Sequence, residues 1–226
     1  MTQSYFVPQL PSGLVVVAFL GTGLLLAAVL LSALLAFALG KRRLAKWLSL
    51  AWLAGGAAYF AVLVTASLAS RERVLSGGDR KYFCEIDCHL AYSLQEVATG
   101  PLEAGTRYTV SIQTWFDPGT IASFRGNAPL TPNAREVFVV DESGRRYGPS
   151  PEGMAALERE RGSPSTPLSR ELRPGESYTT TLAFDLPRGI GRPRLFLGDT
   201  PGLECLLIDH ENSFLHKKVY FALPRG

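Results

Sequence analysis

The sequence predicts a two-helix transmembrane hairpin followed by an all-β sandwich domain over residues 80–226. Three observations predict it. The first seventy residues contain no Asp or Glu, and their Lys and Arg form one short cluster. Two uncharged, apolar stretches flank that cluster. Beyond residue 80, apolar and polar residues alternate in short runs separated by Pro- and Gly-bearing turns, the pattern of half-buried strands.

The first stretch, Gly13 to Leu39, has 27 residues. At about 1.5 Å per helical residue it exceeds the roughly 30 Å hydrocarbon core of a bilayer. The second, Trp47 to Leu68, is also long enough to span. Only residues 40–46, Gly-Lys-Arg-Arg-Leu-Ala-Lys, lie between them, so the spans form an antiparallel hairpin over residues 13–70. The first span reads as a retained helix and not a cleaved leader. It has no basic n-region, is too long for an h-region and ends in no small-x-small site. The first cysteine is Cys84, so there is no lipobox either.

The connecting loop carries four Lys/Arg, and residues 1–12, the outer N-terminal tail, carry none. The positive-inside rule therefore puts the loop in the cytoplasm and both termini outside. Arg71 and Arg73 oppose this more weakly, and Trp47 and Trp52 suit an interfacial anchor. The expected location is a bacterial inner membrane, with the C-terminal domain on the outer, periplasmic face. Small residues recur at helical spacing, Ala28, Ser32 and Ala36 on the first helix and Ala51, Gly55, Ala54 and Ala58 on the second. Such faces allow close helix approach, within the hairpin or against another subunit. Neither span contains an ionisable residue, which disfavours an ion path.

The net charge of +3 hides a division. The loop holds four positive charges, and from Arg71 onward 19 Lys/Arg face 20 Asp/Glu. The outer domain is thus near neutral, with no nucleic-acid footprint. Residues 71–79 read as a linker. Strands are expected at Lys81–Leu94, Arg107–Trp115, Glu136–Val140, Arg145–Gly148, Ser177–Leu186, Arg194–Leu197, Glu204–Ile208 and Lys218–Leu223. A turn is expected at Asp141–Gly144, and a short helix at Glu152–Arg161. The first strand puts Cys84, Ile86, Cys88, Leu90, Tyr92 and Leu94 on one face. Pro/Gly-rich segments Thr120–Asn133 and Gly148–Arg173 are the expected contact surfaces.

Four segments resemble a known family: Tyr108-Thr-Val-Ser-Ile112, Phe138-Val-Val-Asp-Glu-Ser-Gly-Arg-Arg-Tyr147, Leu172-Arg-Pro-Gly-Glu176 and Leu182-Ala-Phe-Asp-Leu-Pro187. Their D-x-x-G-x-x-Y, L-x-P-G-E and F-x-x-P patterns resemble a bacterial immunoglobulin-like domain of unknown function, found in membrane-anchored proteins and lipoproteins. The resemblance covers about 115 residues and implies an immunoglobulin-like sandwich. Its motifs are turns and core positions, and the family brings no activity with it.

Cys84-Glu-Ile-Asp-Cys88-His89 invites a second comparison. Two helices followed by an outer β domain resemble subunit II of cytochrome c oxidase, whose binuclear copper site uses Cys-x3-Cys with a following His and Met. Here the motif lies early in the domain, inside a predicted strand that would hold the two sulfurs roughly 13 Å apart. No Met follows it. The metal candidates are therefore weak: Cys84, Cys88 and His89, with His210 and His216 near Asp209 and Glu211. Three cysteines in an oxidising compartment are expected to give one disulfide and one thiol, with Cys205 bonded to Cys84 or Cys88.

No G-x-S-x-G elbow, H-E-x-x-H, Walker A or G-x-G-x-x-G occurs. The expectation is a non-catalytic accessory subunit without a cofactor, nucleic-acid partner or small-molecule substrate. It would dock on a larger bacterial membrane complex, respiratory or photosynthetic electron transfer being candidate hosts. The alternatives are a copper-binding electron carrier and a stand-alone envelope binding or sensor protein.

Overall fold

The computed structural model describes residues 3–84 and 88–225. It divides into two compact units. One contains the chain up to Val7, Glu72–Pro201 and Lys218 onward, and the other contains Pro8–Arg71 and Gly202–Lys217.

The second unit is built on two helices, α1 (Ser12–Ala38) and α2 (Arg42–Ala69), both long and apolar enough to cross a membrane. Gly40, at φ 74°, turns the chain between them. Residues in a left-handed conformation are tolerated there because glycine has no Cβ. The basic loop is shorter than expected, since Arg42 already begins α2. Two arginines at a helix N-terminus oppose the helix dipole. They sit there because the apolar spans on either side leave the turn as the place for charge.

The less exposed residues of α1 step by three and four through Thr22, Leu26, Val29, Ala33 and Ala36. Leu48, Trp52, Gly55, Tyr59 and Leu63 do the same on α2. This spacing is that of coiled-coil seams. At Gly55 a Cβ would stand 3.1 Å from Leu26, so the glycine sets the local helix approach.

Among the described residues the first unit has two five-stranded mixed sheets. Its strands are β1 (Ser4–Val7), β2 (Arg73–Leu75), β3 (Arg80–Phe83), β4 (Leu90–Leu102), β5 (Gly105–Phe116), β6 (Arg135–Val140), β7 (Arg146–Tyr147), β8 (Ser177–Pro187), β9 (Arg194–Asp199) and β10 (Val219–Ala222). One sheet runs β1-β3-β4-β5-β8 and the other β2-β10-β9-β6-β7. β1 lies parallel to β3, and β2 parallel to β10. The expected tail and linker thus each supply a strand. The chain leaves the first sheet at Val7 for the helices and comes back to the second sheet at Arg73.

One core draws on both sheets. Tyr92, Val110, Ile112 and Phe184 come from the first, and Val139, Leu195, Leu197 and Phe221 from the second. Along β4 the inward set is Leu90, Tyr92 and Leu94, then Val97, because the register shifts between Leu94 and Glu96. A bulge of one residue flips the alternation. At the β4–β5 hairpin a Cβ on Gly105 would come within 1.9 Å of the Leu186 carbonyl oxygen, so only glycine allows β8 to pair there.

The expected strand Lys81–Leu94 is two strands, β3 and β4, paired antiparallel. Cys84 accordingly packs with Tyr82 and Ala91 in a small cluster, apart from the main core that holds Leu90, Tyr92 and Leu94. Ile86, assigned to the same face by alternation, lies outside the described residues. Glu204–Ile208 is not a strand; Leu203–Leu206 forms a 3-10 turn.

The expected helix appears as α3 (Pro151–Arg161) with complete end signals. Ser150 caps its N-terminus by accepting the Gly153 N–H, Pro151 begins the first turn, and Gly162 ends it at φ 70°. α3 and the following loop cover β8, an edge of the first sheet. Ser165 Oγ and Met154 Sδ accept the N–H groups of Thr181 and Ala183. Much of Gly148–Arg173, expected as a partner surface, is therefore engaged in closing an edge that would otherwise present free backbone groups.

Two cations cross the core in opposite directions. Lys81 on β3 is fully buried and donates to the carbonyls of Leu197, at 2.6 Å, and Val219, at 3.4 Å, in the other sheet. Arg135 on β6 reaches back over the rings of Phe83 and Tyr92, donates to the Tyr92 hydroxyl at 3.2 Å and pairs with Asp199. Removing a buried hydrogen-bonding charge leaves its partners unsatisfied. Lys81→Ala is expected to cost about 2–4 kcal/mol and lower Tm by roughly 5–15 °C in thermal unfolding followed by near-ultraviolet circular dichroism. Lys81→Met, which retains the apolar stem, should recover part of the loss.

Candidate functional site

The sequence candidates fall in three places. Cys84 and Cys88 are joined to each other, with Cα atoms 4.1 Å apart, because the chain bends between β3 and β4. This overturns the pairing with Cys205 and the 13 Å separation, both of which assumed a continuous strand. Cys205 is a free, exposed thiol in the 3-10 turn. The bend is held by the segment after β5. Thr120 Oγ1 donates to the Cys88 carbonyl at 2.7 Å, Asp117 N to the His89 carbonyl at 2.8 Å, and the Tyr82 hydroxyl to Asp117 at 2.8 Å. His89 is buried, with its ring 5.1 Å from that of Phe116. Disulfide sulfurs are not thiolates, so this arrangement offers no thiolate ligand pair beside His89.

His210 and His216 lie in Gly202–Lys217, in the helical unit. His210 is buried, and its Nδ1 accepts the Asn212 N–H at 3.1 Å. His216 places Nε2 3.6 Å from Asp209 and Nδ1 2.7 Å from the Lys217 carbonyl. Asp209, at φ 63°, also accepts the Leu10 N–H at 3.0 Å. Burial pushes the Asp209 carboxyl up, but the contacts to His216 and the Leu10 and Gln9 amides outweigh it and hold it below the usual range. These groups serve one another. Among the described residues no three His, Cys, Asp or Glu side chains converge as a metal site.

Of the small residues expected at helix contacts, Ala36 is buried and Gly55 half-buried in the seam of the hairpin. Ala28, Ser32, Ala51 and Ala58 are exposed and point away from it. Alternation by four residues selected them; the actual seam follows the three-four spacing described above.

Two features escaped the sequence reading. On the outer side of the first sheet an open groove of about 500 Å³ runs between β4, β5 and α3, lined by Glu96, Thr109, Ser111 and Arg161 among others. At its end Arg107 grips Asp185 through two bonds of 2.6 and 2.7 Å, and Ser150 donates to the same carboxylate at 2.6 Å. The second feature is the reversed polarity of Gly202–Lys217. Leu203, Leu206, Phe214 and Leu215 are exposed, while His210, Glu211 and Ser213 are buried. The signal was present in the leucines and phenylalanine that flank a polar centre, but a strand assignment over Glu204–Ile208 absorbed it.

No protein-family profile and no curated protein sequence matches the chain. Among solved structures, it is similar to a conserved hypothetical protein from Bacillus anthracis. That match has 16% identity and a TM-score of 0.36, over 48% of this chain and 82% of the other. It is also similar to a secreted protein from Mycobacterium tuberculosis, at 9% identity and a TM-score of 0.40, over 66% of this chain and 98% of the other. Both are bacterial proteins, and at these scores neither likeness bears on activity or partners.

The Arg107 guanidinium, together with Ser150, holds the Asp185 carboxyl below its ordinary value against the opposing effect of burial. A carboxyl depressed in the folded state adds stability above its unfolded value, and that stability is lost as pH falls through the folded value. Tm should therefore drop on acidification below about pH 4. Asp185→Asn is expected to shrink that drop while lowering Tm at neutral pH. A Tm series from pH 7 to pH 3 on both proteins checks it.

Proposed function

We propose that this chain is a membrane-anchored accessory subunit without catalysis of its own. In this reading α1 and α2 cross a bacterial inner membrane with the basic turn in the cytoplasm. The two-sheet unit, read as an immunoglobulin-like sandwich, stands on the periplasmic side. Pairing of β1 with β3 supports a hairpin whose two ends lie on one side, since β1 precedes the helices and β3 follows them. The positive-inside rule then selects the side.

The observation that carries the docking role is the division of labour on the helices. The hairpin packs through one seam, and Ala28, Ser32, Ala51 and Ala58 stay exposed on others. Small outward residues let a neighbouring helix approach closely in lipid. Phe124, 86% exposed in the segment expected as a contact surface, supports a second point of attachment on the outer unit. Large exposed aromatics are favoured at the centres of protein interfaces.

Purification of the tagged chain in a mild detergent is expected to bring other membrane subunits in fixed ratio. Ser32→Leu with Ala58→Leu, or Phe124→Ala, should reduce that recovery about tenfold without changing the chain's own yield. A chain that purifies alone from its native membrane overturns the reading.

Topology is tested in a Cys205→Ser background with the disulfide kept oxidised. A membrane-impermeant thiol reagent should label Ser143→Cys in intact spheroplasts, and Leu44→Cys only after permeabilisation. The reverse pattern would invert the orientation.

A further inference from the structure

We infer that Gly202–Lys217 is a foot immersed in the outer-leaflet interface, its apolar side chains covered by lipid acyl chains; this rests on the membrane anchor proposed above. Four observations lead to it.

The segment is bound to the side of α2 well inside the apolar stretch. The Tyr59 hydroxyl donates to the Leu206 carbonyl at 2.8 Å, and the rings of Phe60 and Phe214 lie 6.3 Å apart. Tyr59 stands thirteen residues beyond Lys46, or about 20 Å along the axis, which leaves roughly 10 Å to the far edge of a hydrocarbon layer about 30 Å thick. That depth is at the limit reached by amphipathic elements lying in a bilayer interface, about 5–10 Å.

The polarity is that of a lipid-facing element. Leu203 is 71% exposed, and Leu206, Phe214 and Leu215 are also exposed, whereas Glu211 is 1% exposed and His210 and Ser213 are buried. In water this arrangement would be inside out. The exposed side chains continue the apolar surface of α1 and α2, where Leu14, Val17, Phe60 and Val62 are likewise exposed.

Non-helical backbone can persist at membrane depth only if its polar groups are satisfied within the protein. Here successive tight turns do this. The N–H groups of Cys205, Leu207, His210, Ser213 and His216 donate to the carbonyls of Gly202, Glu204, Leu207, His210 and Ser213. Ser213 Oγ donates to the Leu207 carbonyl, and Asp209 is shared between the Leu10 amide and His216. The segment rises again at Lys217, whose N–H donates to Ser70 Oγ just past the end of α2, at 2.8 Å.

The occupant is lipid and not a partner helix because the exposed set belongs to a short irregular loop. It has no regular face for ridge-and-groove packing against a helix. A bilayer needs only apolar area.

The test places nitroxide labels singly at Leu203→Cys, Phe214→Cys and Leu215→Cys. The full chain, with Cys205→Ser and the native disulfide intact, is reconstituted in phosphatidylcholine–phosphatidylglycerol vesicles. Leu25→Cys reports mid-span, and Ser143→Cys reports water. Collision rates with oxygen and with a neutral nickel chelate are compared. The expected oxygen-to-nickel ratio at the three loop positions is about tenfold above that at 143 and approaches that at 25. Leu203 is the most exposed of the three, so its label keeps the test valid if the Phe214 variant misfolds. Nickel access at the loop equal to that at 143, with 25 still protected, overturns the inference alone. Nickel access at 25 as well overturns the anchor and the foot together. Protection of the loop from both reagents means protein covers it, which rejects lipid as the occupant.

Discussion

Two sheets that share one core can slide or rotate over apolar contacts, because such contacts have no direction. Lys81 and Arg135 remove that freedom. Each is rooted in one sheet and bonds to the other, Lys81 to carbonyls of β9 and β10 and Arg135 to Tyr92 of β4. Burying a cation is costly unless its donors are matched. Any displacement of one sheet would leave these donors facing apolar atoms, so the pair selects one relative placement. The rings of Phe83 and Tyr92, against which Arg135 lies, compensate part of the lost hydration.

A second constraint acts where the helices join. The chain reaches α1 from the first sheet and comes back from α2 into the second, and both joining strands pair in parallel with a neighbour. The helical pair is thus an insertion in the chain between β1 and β2. One edge of the first sheet is completed by residues that precede the helices, and the far edge is closed by α3. Each answers the same need, to leave few free strand edges in a small domain.

The helices, the turn at Asp141–Gly144, α3 and most strands were legible because each is written locally: apolar length, alternation, a capping serine or a left-handed glycine. The readings that failed required knowledge of distant chain. Ser4–Val7 and Arg73–Leu75 are too short to show a period, and become strands only because β3 and β10 lie beside them. The alternation from Cys84 to Leu94 looked continuous because the bend preserves apolar residues on both sides of it. The disulfide followed from that bend, and so could not be assigned to the right partner. Lys81 read only as the start of a strand, since nothing local tells a buried lysine from an exposed one. At the candidate sites, contacts between residues near in sequence were legible and those between distant strands were not. His216 finds Asp209 close in sequence, whereas Arg107 finds Asp185 only through the pairing of β5 with β8.

The place of β1 also sets an order of events during synthesis. Its partner β3 begins at Arg80, after both helices, so β1 emerges first and must wait for the whole helical pair before it can bond. Closing so long an intervening segment is slow compared with local hairpin formation. If the helices cross the bilayer, β1 and β3 can meet only when both helix ends emerge on one side. A hairpin with only one span inserted would hold β1 away from β3 and leave that edge of the sheet open. Completion of the sheet would then depend on both helices having crossed, whichever way the hairpin faces.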